Sequence, residues 1–266
     1  MIRPFALLSR VSLAILLCFL VLNTGVVYAV NPNIAPLKDR YRQLLDLYRT
    51  QSDALSLSLT QYKNLKTLAS QEEAVHDMRD FLLTRDDVVI THLSILEAVL
   101  SDRTMVNPLW SASSSARIDA DLKDLQDHRS RSDVAVDRIK ADTEALWFIG
   151  KQKQLSSTAD RAVCLIAIGH TQEAIDALQT VKKKIDLWID TGVMSETQRV
   201  EKQRGSDELG RTIDNAQSIL SGALIQYERQ SQSGSATLMY PQLRSIVFSS
   251  YASVLRGVEF AKELSQ

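Results

Sequence analysis

Residues that interrupt helices are scarce in this 266-residue chain, and their scarcity limits the folds it can adopt. Gly25 and Gly150 are consecutive glycines, so the 124 residues from 26 to 149 contain none. Average usage near 7% would place about nine glycines there. After Pro36 the only prolines are Pro108 and Pro241. Sheet-rich folds need frequent tight turns, and such turns need glycine, proline or Asn-Gly pairs. The chain is therefore predicted to consist of long helices joined by few loops.

The spacing of apolar residues favours the same fold class. Apolar and small residues recur in alternating steps of four and three within residues 174–188, 209–227 and 243–261. This repeat is typical of helices that pack at shallow angles in bundles and coiled coils. Neighbouring apolar residues such as Ile175 and Ile219 widen the stripes beyond a two-stranded seam. We expect an all-α protein, an elongated bundle of about five to six long antiparallel helices with coiled-coil-like packing.

Capping signals divide the chain into six predicted helices. Pro108 suits the first turn of the third helix. Ser157 with Asp160 marks the start of the fourth, and Thr191-Gly192 marks its end. The predicted helices cover residues 36–69, 71–101, 108–155, 157–190, 195–230 and 237–265.

Two segments depart from the apolar pattern. Residues 128–132 (His-Arg-Ser-Arg-Ser) place polar and charged side chains where the seam of the third helix should continue. This segment predicts a kink or helix break with a solvated face, or else a polar patch that meets a partner. Gly205 and Gly210, with charged residues between them, predict a frayed or splayed start to the fifth helix. The sequence does not say whether either segment is functional.

The first 29 residues have the pattern of a secretory signal peptide. Arg3 and Arg10 provide a positive start, an apolar stretch follows, and Val27-Tyr28-Ala29 suits a signal peptidase. The apolar stretch is shorter than a bilayer span requires. We expect cleavage after Ala29, with retention as an N-terminal membrane anchor as the alternative. Residues 30–266 are expected to form a single domain, with a possible subdivision near 102–108 and 190–195.

The composition of the mature chain excludes some function classes. Cleavage after Ala29 leaves 29 Lys and Arg against 32 Asp and Glu, a net charge of about −3. Such a balance gives no electrostatic reason to bind nucleic acid or an anionic membrane. Cys164 is then the only cysteine, so no intramolecular disulfide is possible, and its apolar neighbours indicate a small buried side chain.

The candidate metal ligands do not add up to a site. Glu73 and His76 have the Glu-x-x-His spacing of ferritin-like di-iron bundles, but such a centre needs two of these motifs and two more carboxylates. His92, His128 and His170 have no glutamate three residues before them. We interpret Glu73 and His76 as solvent-facing, His92 as part of an amphipathic face, and His170 as part of a short turn or irregularity.

Residues 162–187 resemble a tetratricopeptide helix pair over at most 34 residues. The resemblance rests on the small and apolar residues Ala162, Leu165, Gly169, Ala174, Leu178 and Val181 and on the segment Glu173-Ala174-Ile175. It implies an isolated helical hairpin that turns near Gly169. The next 34 residues do not repeat the pattern, and a solenoid needs about three units, so no family is inferred.

No motif for catalysis, cofactor binding or metal binding is assembled in the sequence, and no site residues are assigned. We expect a non-enzymatic, exported protein that acts as a structural or protein-interaction module of the cell envelope or exterior. Its helix faces would bind a protein partner or a second copy. The alternative is a small-ligand-binding or sensor-like helical bundle outside the membrane.

Overall fold

The computed structural model describes residues 34–102, 107–233 and 239–264. Within these ranges the chain forms six long helices and no strand, which confirms the predicted all-α bundle. The predicted signal peptide and residues 103–106 and 234–238 lie outside the described residues. The helices are α1 Ile34–Leu65, α2 Leu68–Ser101, α3 Pro108–Asp133, α4 Arg138–Thr191, α5 Glu196–Ser233 and α6 Met239–Leu264.

The division between the third and fourth helices was predicted in the wrong place. The break falls at residues 134–137, not at 156, and Ser157 and Asp160 lie inside α4. Asp137 has an extended backbone, with φ −130° and ψ 159°, and its side chain accepts a hydrogen bond from the main-chain N–H of Lys140 at 2.9 Å. Asp137 is therefore the N-cap of α4, and the chain reverses direction immediately before it.

The turn between α1 and α2 is built from local polar contacts. Lys66 has φ 52°, in the left-handed region that commonly ends helices. The hydroxyl oxygen of Thr67 accepts from the main-chain N–H of Ser70, and the Ser70 hydroxyl oxygen accepts from the main-chain N–H of Thr67. This reciprocal cap starts α2 at Leu68, three residues before the predicted start at residue 71.

Helix α4 has 54 residues and contacts four other helices. Near its start, Lys151 binds Asp124 of α3 at 2.7 Å. Farther along, Gln172 exchanges hydrogen bonds with Gln217 of α5. At about 1.5 Å per residue, α4 is roughly 80 Å long. The bundle is elongated because α2 and α3 pack on the first part of α4, and α5 and α6 pack on the second part.

The central section of α4 is buried on several sides. Arg161, Ala162, Cys164, Leu165, Ile166, Ile168, Gly169 and Thr171 are all buried, so several neighbours surround this part of the helix. The helix continues through Gly169 and His170, so the predicted hairpin turn near Gly169 is wrong. Of the small and apolar residues that resembled a hairpin crossing, Ala162, Leu165, Gly169 and Leu178 are instead buried positions of one continuous helix, and Val181 is exposed.

The glycines of α5 do not fray the helix, contrary to the prediction. Residues 196–233 form one helix that includes both positions. A Cβ atom added at Gly205 would collide with the side chain of Leu264, and one at Gly210 would lie 3.0 Å from Lys182 Cε. The two glycines therefore let α6 and α4 approach the α5 backbone closely, which compensates for their low helix propensity.

None of the helices in the described ranges is long and apolar enough to span a membrane. A single cluster of buried apolar residues extends from α1 to α6, with a smaller cluster around Leu82 between α1 and α2.

Two glycine substitutions test the helix packing. A Cβ atom at Gly257 of α6 would collide with Leu178 of α4 and lie 3.5 Å from Leu209 of α5, whereas one at Gly222 would meet nothing within 4 Å. Gly222→Ala is expected to stabilise the protein by up to about 1 kcal/mol through helix propensity. Gly257→Ala is expected to be less stable than Gly222→Ala by about 1–3 kcal/mol because of overpacking. Urea unfolding followed by circular dichroism measures both. Equal stability of the two variants would contradict the close packing at Gly257.

Candidate functional site

A buried histidine–aspartate pair connects three helices close to the turn between α3 and α4. Nδ1 of His128 in α3 lies 2.6 Å from Oδ2 of Asp86 in α2. Nε2 of the same ring lies 3.0 Å from the main-chain carbonyl oxygen of Glu144 in α4. The side chains of Asp86 and His128 have no exposed surface. We call Arg85, Asp86, His128, Ser132 and Glu144 the polar layer.

The hydrogen bonds of His128 restrict where its protons lie. The Glu144 carbonyl oxygen only accepts, so Nε2 carries a hydrogen and donates it. Nδ1 then either donates to an Asp86 carboxylate or accepts from a protonated Asp86. In both arrangements one proton lies in the short bond and the pair carries no net charge. The polar layer can therefore be buried without an isolated charge at this position.

Burial has the largest effect on the pKa of Asp86. It raises the pKa of the Asp86 carboxyl, while the hydrogen bond from His128, the charge of His128 and the charge of Arg85 act in the opposite direction. The ring of His128 stacks on Trp147, with 4.2 Å between ring centroids and 13° between planes. An aromatic ring thus covers one face of His128.

Arg85 is the second buried ionisable group of the polar layer. Its guanidinium carbon lies 3.5 Å from the centre of the Phe148 ring, and its Nε lies 4.0 Å from Oδ1 of Asp86. Burial lowers the pKa of Arg85 to about 10, against the charges of Asp86 and Tyr48. Nε and Nη2 of Arg85 and Oδ1 of Asp86 have no hydrogen-bond partner. Arg85 is held mainly by its contact with the aromatic ring.

Two exposed arginines form the outer edge of the polar layer. Arg129 binds Asp87 of α2 at 2.7 Å, and Arg131 binds Glu144 of α4 at 3.1 Å. Residues 128–132 are therefore helical, with His128 and Ser132 facing inward and the arginines paired within the chain. The predicted solvated face applies to Arg129, Ser130 and Arg131 only.

The polar layer includes residue types that could act in nucleophilic catalysis, but they are not arranged for it. Ser132 lies one turn after His128, is fully buried, and its hydroxyl makes no hydrogen bond. Nε2 of His128, which would activate a nucleophile, is bound to the Glu144 carbonyl oxygen. In this geometry the layer fixes the positions of α2, α3 and α4 relative to one another.

Glu73 and His76 lie on the surface of α2. Both side chains are exposed, and Nδ1 of His76 is 3.7 Å from Oδ2 of Asp80. Among the residues that the structure describes, no group of three or more His, Cys, Asp or Glu side chains is placed to hold a metal ion.

The other two histidines have different environments. His92 packs against Tyr41 of α1 with 5.6 Å between ring centroids, and burial lowers the pKa of His92 to about 4. His92 is therefore neutral near pH 7. His170 lies inside α4, with Nδ1 3.9 Å from Glu173 Oε2, so the predicted turn at His170 is wrong.

A shallow cleft lies where α1, α2 and the start of α4 meet. Its volume is about 70 Å³, and its lining includes Tyr62, Val75, Arg138 and Asp142. Arg138 already donates to the Tyr62 hydroxyl at 3.0 Å and pairs with Asp142 at 3.4 Å. The cleft has room for a few water molecules.

The Asp86–His128 pair is not predicted from the sequence, although part of its signal is present there. Residues 128–132 place polar side chains at seam positions of α3. A second polar seam residue, Asp86, lies between buried Leu82 and Leu93 of α2. Two polar seam positions on neighbouring helices predict a buried polar pair only if the register of the helices is known.

The chain was compared with family models, with curated proteins and with solved structures, and none of them matches. Its function must therefore be inferred from its own residues.

A double-mutant cycle tests the buried pair. His128→Leu leaves Asp86 buried without its main partner and is expected to cost about 3–5 kcal/mol of unfolding free energy. Adding Asp86→Leu is expected to recover part of that loss, because apolar replacement of both partners removes the unpaired group. Arg129→Ala, which breaks the exposed pair with Asp87, serves as a control and is expected to cost less than about 1 kcal/mol. Additive losses in the double variant would show that the two side chains do not stabilise each other.

Proposed function

We propose that the protein is an exported, non-enzymatic helical bundle that acts as a structural or protein-interaction module of the cell envelope or exterior. We further propose that two copies associate through the first part of α4. Export is supported by the signal-peptide pattern of residues 1–29. The association is supported by one surface feature, an exposed apolar strip on α4.

The strip consists of Ile139, Thr143, Leu146, Ile149 and Gly150. Steps of three, four and seven place these residues along one side of the helix. Ile139 is 80% exposed, and Leu146 and Ile149 are each 63% exposed. Val134 and Val136, in the turn that leads into α4, are also exposed. Large apolar side chains that cluster on a surface mark interaction sites more often than scattered ones do.

A second copy of the chain fits this strip for steric and electrostatic reasons. A Cβ atom at Gly150 would meet nothing within 4 Å, so a neighbouring helix can approach the backbone there. Two α4 helices that pair antiparallel about Leu146 would bring exposed Lys153 of each copy within about one helical turn of Asp142 of the other, beside the ion pair that Asp142 makes with Arg138 of its own chain. Such a contact is symmetric and closes at two copies.

A second candidate function is a small-ligand-binding or sensor-like bundle. One observation favours it, a buried arginine in the middle of α4 that forms no ion pair with a described carboxylate.

Sedimentation velocity over a range of protein concentrations tests the association. The wild-type mass is expected to rise towards that of a dimer as concentration increases. Leu146→Glu is expected to remain monomeric at the same concentrations, because a charge is then buried at the centre of the pairing. Leu187→Glu is the matched control, since Leu187 is also 63% exposed on α4 but lies away from the strip.

Two results would contradict this function. One is a single unchanging monomer mass for the wild type. The other is an equal effect of Leu146→Glu and Leu187→Glu on the measured mass, which would mean that the strip is not the contact.

A further inference from the structure

Arg161 is a buried cation in the central section of α4. Only 5% of its surface is exposed, and its Nε has no hydrogen-bond partner. A buried charge is costly unless it is paired, and arginine remains charged in almost every protein environment. Arg161 therefore needs an anionic partner more than any exposed arginine of the chain does.

The groups around Arg161 come from α3 and α5. Burial has the largest effect on Arg161 and lowers its pKa, the positive charge of Arg117 lowers it further, and Tyr227 acts in the opposite direction. Tyr227 also packs against Trp110, with 5.4 Å between ring centroids. Two cations and a phenol thus lie within electrostatic range of one another where α3, α4 and α5 come together, and an indole packs on the phenol. We call these four residues the arginine junction.

No carboxylate in the described ranges lies within ion-pair distance, 4.0 Å, of Arg161 or Arg117. The sequence outside those ranges, residues 1–33, 103–106, 234–238 and 265–266, contains no Asp or Glu. Asp160 precedes Arg161 directly, but burial alone raises the pKa of Asp160 to about 6, with no opposing effect from a cation. The side chain of Asp160 is therefore not the partner that Arg161 lacks.

We propose that the arginine junction binds a small oxyanion, the carboxylate or phosphate group of a small molecule, with Arg161 as the principal donor. The planar guanidinium presents paired N–H groups that match carboxylate and phosphate oxygens. Arg117, which is exposed, forms the outer side of the site and attracts the anion from solvent. The Trp110 ring, whose centroid is 5.4 Å from that of Tyr227, would offer an apolar surface to the body of such a ligand.

Tyr227 supplies a further donor. Burial raises the pKa of Tyr227 to about 12, with Arg161, Cys164 and Arg117 contributing smaller effects. The hydroxyl therefore keeps its proton at neutral pH and donates to an oxyanion. Only 5% of the surface of Arg161 is exposed, so these interactions are screened less than they would be at the protein surface.

The proposal goes beyond the association through the apolar strip and does not depend on it. Arg161 and the strip lie in different parts of α4, so loss of one leaves the other intact. Anion binding without a dimer would support the ligand-binding bundle. A dimer without anion binding would support only the interaction module.

Thermal unfolding of the full chain with defined anions tests the junction. The probes are inorganic phosphate and benzoate, each compared with chloride at pH 7 and equal ionic strength. At least one probe is expected to raise Tm in a saturable way, since a ligand that binds only the folded state stabilises it. A response to phosphate alone assigns a phosphate ligand, and a response to benzoate alone assigns a carboxylate.

Three variants locate the binding site. Arg161→Met is expected to weaken binding at least about tenfold, because it removes a charged hydrogen-bond donor. Without anion it is expected to be no less stable than the wild type, since an apolar side chain replaces an unpaired buried charge. Arg117→Ser, at an exposed position, is expected to fold normally and to weaken binding as well. Arg211→Met, on the exposed side of α5, is the control and is expected to bind like the wild type.

The proposal is overturned if neither probe gives a saturable shift with the wild type. It is also overturned if Arg161→Met and Arg117→Ser respond to the anions as strongly as Arg211→Met does.

Discussion

The continuity of α4 determines how the other helices are arranged. Because α4 runs from Arg138 to Thr191 without a break, α2 and α3 pack on its first part, and α5 and α6 pack on its second part. Its middle is buried on several sides, since helices from both ends meet there. A kink or turn within α4 would separate these contacts. Gly257 of α6 and Gly210 of α5 approach Leu178 and Lys182, both in the second part of α4.

Ionisable groups are buried at two places along α4, the polar layer and the arginine junction. The two places differ in how the charges are compensated. In the polar layer, Asp86 and His128 share one proton and neutralise each other, and Arg85 lies against the Phe148 ring with its Nε 4.0 Å from Asp86 Oδ1. At the arginine junction, Arg117 and Arg161 lie within electrostatic range of each other, and no described carboxylate lies within 4.0 Å of either guanidinium. A pair of side chains whose charges cancel is suited to holding helices together. Two cations without a compensating negative charge are suited to binding an anion.

The fold class could be predicted from the sequence because missing turn residues and a recurring apolar pattern are local properties. The position of the break between α3 and α4 could not be predicted from the sequence. Asp137 and Ser157 are both acceptable N-caps, and only tertiary packing selects between them. The resemblance of residues 162–187 to a helical hairpin was misleading for a related reason, since small residues suit any close helix crossing. The Asp86–His128 pair joins residues 42 positions apart, and seam patterns do not specify which residues of two helices face each other.

The distance between two spin labels on α4 tests its continuity most directly. Labels attached at Gly150→Cys and Leu187→Cys, both exposed positions, would be used in a chain whose two native cysteines are replaced by alanine, diluted with an excess of unlabelled protein. An uninterrupted helix places these backbone positions about 55 Å apart, from 1.5 Å per residue. A hairpin near Gly169 would bring the two helical arms to about 10 Å from each other. A long distance is the result that this account predicts, and a short one would contradict it.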